Sequence, residues 1–104
     1  MHRLTRLLVA PALLLGGLSP AWAQDANLAR SLAATCANCH GTNGQARGDM
    51  TPLAGVPANK IIAMLADFKS GALPSTIMGQ IAKGYTDEQV RLLAGFFAAQ
   101  PAKR

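Results

Sequence analysis

Residues 36–40 read Cys36-Ala37-Asn38-Cys39-His40, a C-x-x-C-H run that occurs once in the chain. Its spacing has a chemical meaning. Two thiols three positions apart can each form a thioether to one of the two vinyl groups on a single porphyrin edge. The adjacent His40 then stands under the iron as proximal ligand. One covalent haem c is therefore the expected cofactor, held by Cys36 and Cys39 and ligated by His40. Three plainer readings compete. A structural disulfide across so tight a loop is sterically poor. A thioredoxin-type redox pair belongs in a βαβ setting, and this chain shows no strand pattern. Structural zinc needs four protein ligands, and Cys36, Cys39 and His40 supply three, leaving the fourth to a carboxylate.

Outward from the motif, the N-terminal end reads as a targeting segment. Met1–Arg6 carries His2, Arg3 and Arg6, and Leu7–Leu18 is a run of twelve uncharged residues, followed by Ala21-Trp22-Ala23. A basic start, a short apolar run and an A-x-A end predict a secretory signal over residues 1–23 and a periplasmic mature chain over 24–104. A membrane anchor is the weaker reading, because the apolar run with Pro11, Gly16 and Gly17 falls short of the roughly 20 residues a span needs. No cysteine stands at the cleavage point for a lipid to use.

The 104-residue chain has ten Lys+Arg and five Asp+Glu, but the mature part would be 81 residues with a net charge of only +3. Such a charge, with scattered lysines, gives no basis for nucleic-acid binding. Large multi-layer enzyme folds do not fit a chain of this size. The mature aromatics are Phe68, Tyr85, Phe96 and Phe97, a thin supply for a domain that small, and such domains usually carry a staple. A haem would complete the core.

The remaining pattern is helical. Asp25–Ala37 is Ala-rich with Leu28 and Leu32 on one face, and Gly41–Pro57 has the Gly and Pro content of a loop. Ile61, Leu65 and Phe68 set a helix over Ala58–Ser70, with Ile62 and Met64 widening the stripe and Gly71 as its stop. Pro74 opens a short helical segment reaching about Lys83 and interrupted by Gly79. Thr86-Asp87-Glu88-Gln89 is a capping box ahead of Val90, Leu93 and Phe97, and Pro101 ends that helix. The expected fold is a small all-α domain of three or four helices.

With His40 the sole histidine of the mature chain, the soft candidates for a second iron ligand are Met50, Met64 and Met78. Met64 belongs to a helix stripe. Met50 lies in the loop ten residues beyond His40, within the roughly 33 Å an extended chain of that length spans. Met78 follows Pro74-Ser75-Thr76-Ile77, where a thioether can be presented away from helix packing, and Gly79 beside it permits close backbone approach. The residues favour Met78 without excluding the others.

The segment Leu32–Gly44 resembles the haem-binding stretch of class I cytochromes c. Asp67-Phe68-Lys69-Ser70-Gly71 and Thr76–Tyr85 are similar to the cytochrome c4 group, above all to cytochrome subunits of flavocytochrome c sulfide dehydrogenases. The likeness covers nearly all of residues 24–104. It implies a class I cytochrome c fold with Met78 as the distal ligand. It also implies electron transfer with a flavoprotein subunit as partner. Many class I cytochromes place Gly against an aromatic where the first and last helices cross; here Ala29 and Ala33 face Phe96 and Phe97.

No pair of carboxylates, no nucleophile with a base and no phosphate loop stands out, so a catalytic role is not expected. Pro52, Leu53, Ile61, Leu65, Phe68, Ile77, Ile81, Leu93 and Phe97 are expected to line the haem pocket or the helix core. Lys60, Lys69 and Lys83 would steer an acidic partner, or simply be solvated. The alternative to a stable subunit is a free periplasmic carrier that docks transiently with other redox proteins between respiratory complexes. A haem-based ligand binder would instead need Met78 off the iron.

Overall fold

The computed structural model describes residues 21–102. Four helices follow in chain order: α1 (Ala21–His40), α2 (Ala58–Ser70), α3 (Met78–Lys83) and α4 (Asp87–Ala98), with a 3-10 turn at Thr42–Gly44. The described residues contain no strand, and the domain is all-α as expected. The basic and apolar residues of the expected signal up to position 20 lie outside the described residues, while Ala21-Trp22-Ala23 opens α1.

Local chemistry explains two helices directly. At α4 the Thr86 hydroxyl accepts from the Gln89 backbone N–H at 3.1 Å, and the Gln89 side-chain oxygen accepts from the Thr86 N–H at 2.9 Å. Both partners of the capping box are thus in place, with Asp87 and Glu88 in the first turn, where the helix dipole favours them. At α2 the chain ends through Gly71 in the left-handed conformation, φ 85°, with Lys69 in the last turn.

The other two helices differ from their expected bounds. α1 was expected over Asp25–Ala37 but continues through the motif to His40. The Gly41 N–H still donates to the Ala37 carbonyl at 3.0 Å, and only Gly41 itself, at φ 82°, turns the chain away. α3 was expected from Pro74 but begins at Met78. Residues 74–77 lie outside it, and the Ser75 hydroxyl accepts from the Gly79 N–H at 2.8 Å. A local side-chain bond of this kind competes with helix and moves the start forward.

The core forms where the two ends of the domain meet. α1 packs on α4, and α2 packs on both α3 and α4. Ala33, Ile61, Leu93, Ala94 and Phe97 form the buried cluster, with Leu53, Leu65, Tyr85 and Phe96 packed against it. Small residues on α1 let the helices approach and large ones on α4 fill the space. Ala29 and Ala33 are buried, Phe97 is 1% exposed, and Phe96 meets Phe97 edge-on with ring centroids 5.4 Å apart.

The stretch between α1 and α2 carries no helix beyond its 3-10 turn, yet it is tied down. The Gly44 carbonyl accepts from both the Leu53 and Ala54 N–H groups, at 2.9 and 3.1 Å, and the Gly55 N–H donates to the Phe97 carbonyl at 2.9 Å. Gly44 is buried at φ 78°. A Cβ there would meet the Ala54 nitrogen at 2.7 Å and the Phe97 ring at 2.8 Å.

Candidate functional site

Because α1 reaches His40, the motif is helical throughout. Cys36, Cys39 and His40 stand at i, i+3 and i+4 and share one helix face. Cys36 is half-buried and packs against the core cluster, whereas Cys39 is exposed. Both thiols are free. Burial pushes the Cys36 thiol up from its ordinary range, a backbone hydrogen bond opposing this. A raised thiol pKa means less thiolate at a given pH. In the haem-free chain at pH 8, iodoacetamide is therefore expected to label exposed Cys39 before Cys36, as peptide mass mapping over a time course would read.

His40 is held by a single bond. Its Nδ1 lies 2.7 Å from the Thr51 carbonyl oxygen. A carbonyl can only accept, so Nδ1 is the donor, and in that tautomer the lone pair lies on Nε2. This is the arrangement in which a histidine ligates a metal: one nitrogen fixed by a carbonyl, the other available.

The methionines separate by environment. Met78 is the first residue of α3 and half-buried, beside Ile77, which is 59% exposed. Met64 is half-buried within α2, and Met50 is exposed in the loop next to Thr51. Gly79 has a local reason to be glycine, since a Cβ there would meet the Ser75 hydroxyl at 3.1 Å and the Phe68 carbonyl at 3.2 Å. Close backbone approach is required, but by α2 and the Ser75 turn.

The residues expected around a haem fall into three groups. Ile61, Leu93 and Phe97 pack on one another inside the protein, with Leu53 and Leu65 against them. Pro52 and Ile77 are exposed, while Phe68 and Ile81 are half-buried. Leu65 also lines a groove of about 240 Å³ between α2 and α4, floored by Ile62, Ala82 and Val90 and edged by Lys69 and Arg91. None of the motif residues lines that groove. Lys60, Lys69 and Lys83 are all exposed, and the Lys69 ammonium donates to the Tyr85 carbonyl at 3.4 Å.

Sequence reasoning missed Thr51, Gly44 and Gln45. Thr51 acts through its carbonyl, which any residue type supplies, so no sequence signal marks it.

The geometry can be set beside proteins already characterised. No protein-family model matches the chain. A protein named cytochrome subunit of sulfide dehydrogenase, from Chlorobaculum tepidum, is 42% identical over 66 residues, covering 64% of this chain and 60% of that protein. Cytochrome c-552 of Acidithiobacillus ferridurans is 38% identical, covering 62% of this chain and 28% of its own length. A thiosulfate dehydrogenase electron acceptor from Stutzerimonas stutzeri is 38% identical, covering 71% and 35%. The chain is similar to c-type cytochromes. It spans about three fifths of the first of these relatives and about a third or less of the other two. Likeness to c-type cytochromes implies haem c, and the helical Cys36-Cys39-His40 face fits that group: two thiols and an imidazole with a free Nε2 lie together at one helix end. Among the described residues no helix is long and apolar enough to cross a membrane.

Proposed function

We propose that the chain is a periplasmic single-electron carrier with one covalent haem c, working as the haem subunit of a sulfide-oxidising flavocytochrome. In this reading residues 1–23 direct export and 24–104 form the working domain. Cys36 and Cys39 hold the haem, His40 is its proximal ligand and Met78 its distal one. The observation that carries the reading is the His40 geometry, with Nδ1 committed to Thr51 and Nε2 left for iron on the same helix face as two free thiols.

When bound, a haem with His and Met ligands supplies one-electron redox chemistry at a raised potential. The protein's part is to hold and shield. α1 fixes the relative positions of both attachment sulfurs and the imidazole. Thr51 sets the ring orientation and the tautomer. Met78 would hold the iron through its thioether and so keep small ligands out. Leu53 and Ile77 exclude water, which stabilises the less charged ferrous state. The partner is a flavoprotein whose flavin donates the electron.

The similarity to a sulfide dehydrogenase subunit supports the stable complex. The similarity to cytochrome c-552 and to a thiosulfate dehydrogenase electron acceptor favours a second reading, a free carrier that docks transiently. Gel filtration of the native protein, with haem and flavin absorbance followed in each fraction, separates them. Co-elution of haem and flavin well above the mass of the chain is the expected result. Haem alone at monomer size selects the free carrier. A polypeptide mass lacking a covalently added haem overturns both.

A further inference from the structure

We propose that the C-terminal end of α4 and the residues just after it position His40, through Gln45 and the loop that carries Thr51. The inference rests on His40 being a haem ligand and goes on to ask what sets its orientation. Residues 47–52 are all exposed, so the middle of the loop has no packing of its own. Its placement is inherited from its two ends. At one end the Gln45 side-chain amide donates to the Pro101 carbonyl at 3.0 Å, a tie across 56 residues of sequence. At the other, the Gly55 N–H donates to the Phe97 carbonyl at 2.9 Å. Gly44 seals the base, its carbonyl taking the Leu53 and Ala54 N–H groups. Thr51 stands between these ties with its carbonyl on Nδ1 of His40.

Of the ties, the Gln45 bond is made by a side chain and can be removed without altering the backbone. Gln45 bonds to Pro101 and not to His40, so it is a positioning residue. With the Gly44 and Gln45 backbone bonds still in place, loosening that end lets the Thr51 carbonyl leave Nδ1 more often. An imidazole that loses its acceptor at Nδ1 becomes a weaker base and a poorer donor to ferric iron.

The test uses the haem-loaded full chain. In Gln45→Ala the Nδ1 proton of His40, followed by NMR, is expected to exchange with solvent about fivefold faster, the effect of losing one ordinary hydrogen bond. The midpoint potential is expected to shift upward. Thr86→Ala is the control. It removes the cap of α4 at the opposite end, lowering stability by a comparable amount, and should leave both readouts at the wild-type value. Unchanged exchange and potential in Gln45→Ala overturn the inference, as does an equal shift in Thr86→Ala. A chain that carries no covalent haem at Cys36 and Cys39 overturns the functional reading itself, and this inference with it.

Discussion

Met78→Ala is expected to open the iron: the reduced protein binds carbon monoxide at neutral pH, which the wild type does not. The midpoint potential falls by a substantial part of the roughly 0.8 V range that axial ligands span, because a thioether raises the potential relative to harder ligands. The half-buried thioether at the start of α3 is the basis. Met64 is half-buried on α2, and Met64→Ala should lower stability by about 1 kcal/mol while leaving the carbon monoxide response unchanged. Met50, exposed beside Thr51, should change neither when replaced by alanine. If Met64→Ala or Met50→Ala admits carbon monoxide and Met78→Ala does not, the ligand has been assigned to the wrong residue.

The second large effect is on stability. Gly44→Ala places a methyl group against the Ala54 backbone nitrogen at 2.7 Å and the Phe97 ring at 2.8 Å, on a backbone at φ 78°. The left-handed conformation costs a non-glycine residue about 1 kcal/mol, and overpacking against backbone and a fully buried ring adds about 1–3 kcal/mol. A loss of about 3 kcal/mol is expected in denaturant unfolding. Gly48 supplies the comparison, since its φ is 62° but a Cβ there meets nothing within 4 Å. Gly48→Ala should therefore lose only the conformational part, about 1 kcal/mol. Equal losses at the two positions would show that the contact with Phe97 is not tight.

The features that could be read along the chain were those made by neighbours in sequence. The Thr86–Gln89 box, the Gly71 stop and the Ile61-Leu65-Phe68 stripe each involve residues within one or two helical turns, and the structure has all of them. The motif was legible for the same reason. The end of α1 and the start of α3 were not. Whether a helix carries on through Cys-Ala-Asn-Cys-His depends on where Gly41 breaks, and whether Pro74 starts one depends on what Ser75 bonds to. The support of His40 was hidden altogether. It joins positions eleven apart through a main-chain oxygen, and that oxygen is placed by contacts with the far end of the chain. No residue type at position 51 announces it.

The meeting of α1 with α4 also dictates when the protein can fold. Leu93, Ala94 and Phe97 supply most of the buried cluster around Ala33, and they follow α1 only after α2 and α3. A polypeptide released stepwise from its N-terminal end has no core partner for α1 until α4 has emerged, and contacts between distant segments are slow to form. Over that interval both thiols of the C-x-x-C-H run stay accessible, Cys36 included. The order in which the sequence is laid out thus holds open a time window in which a bulky group can be joined to the motif before the core closes over it.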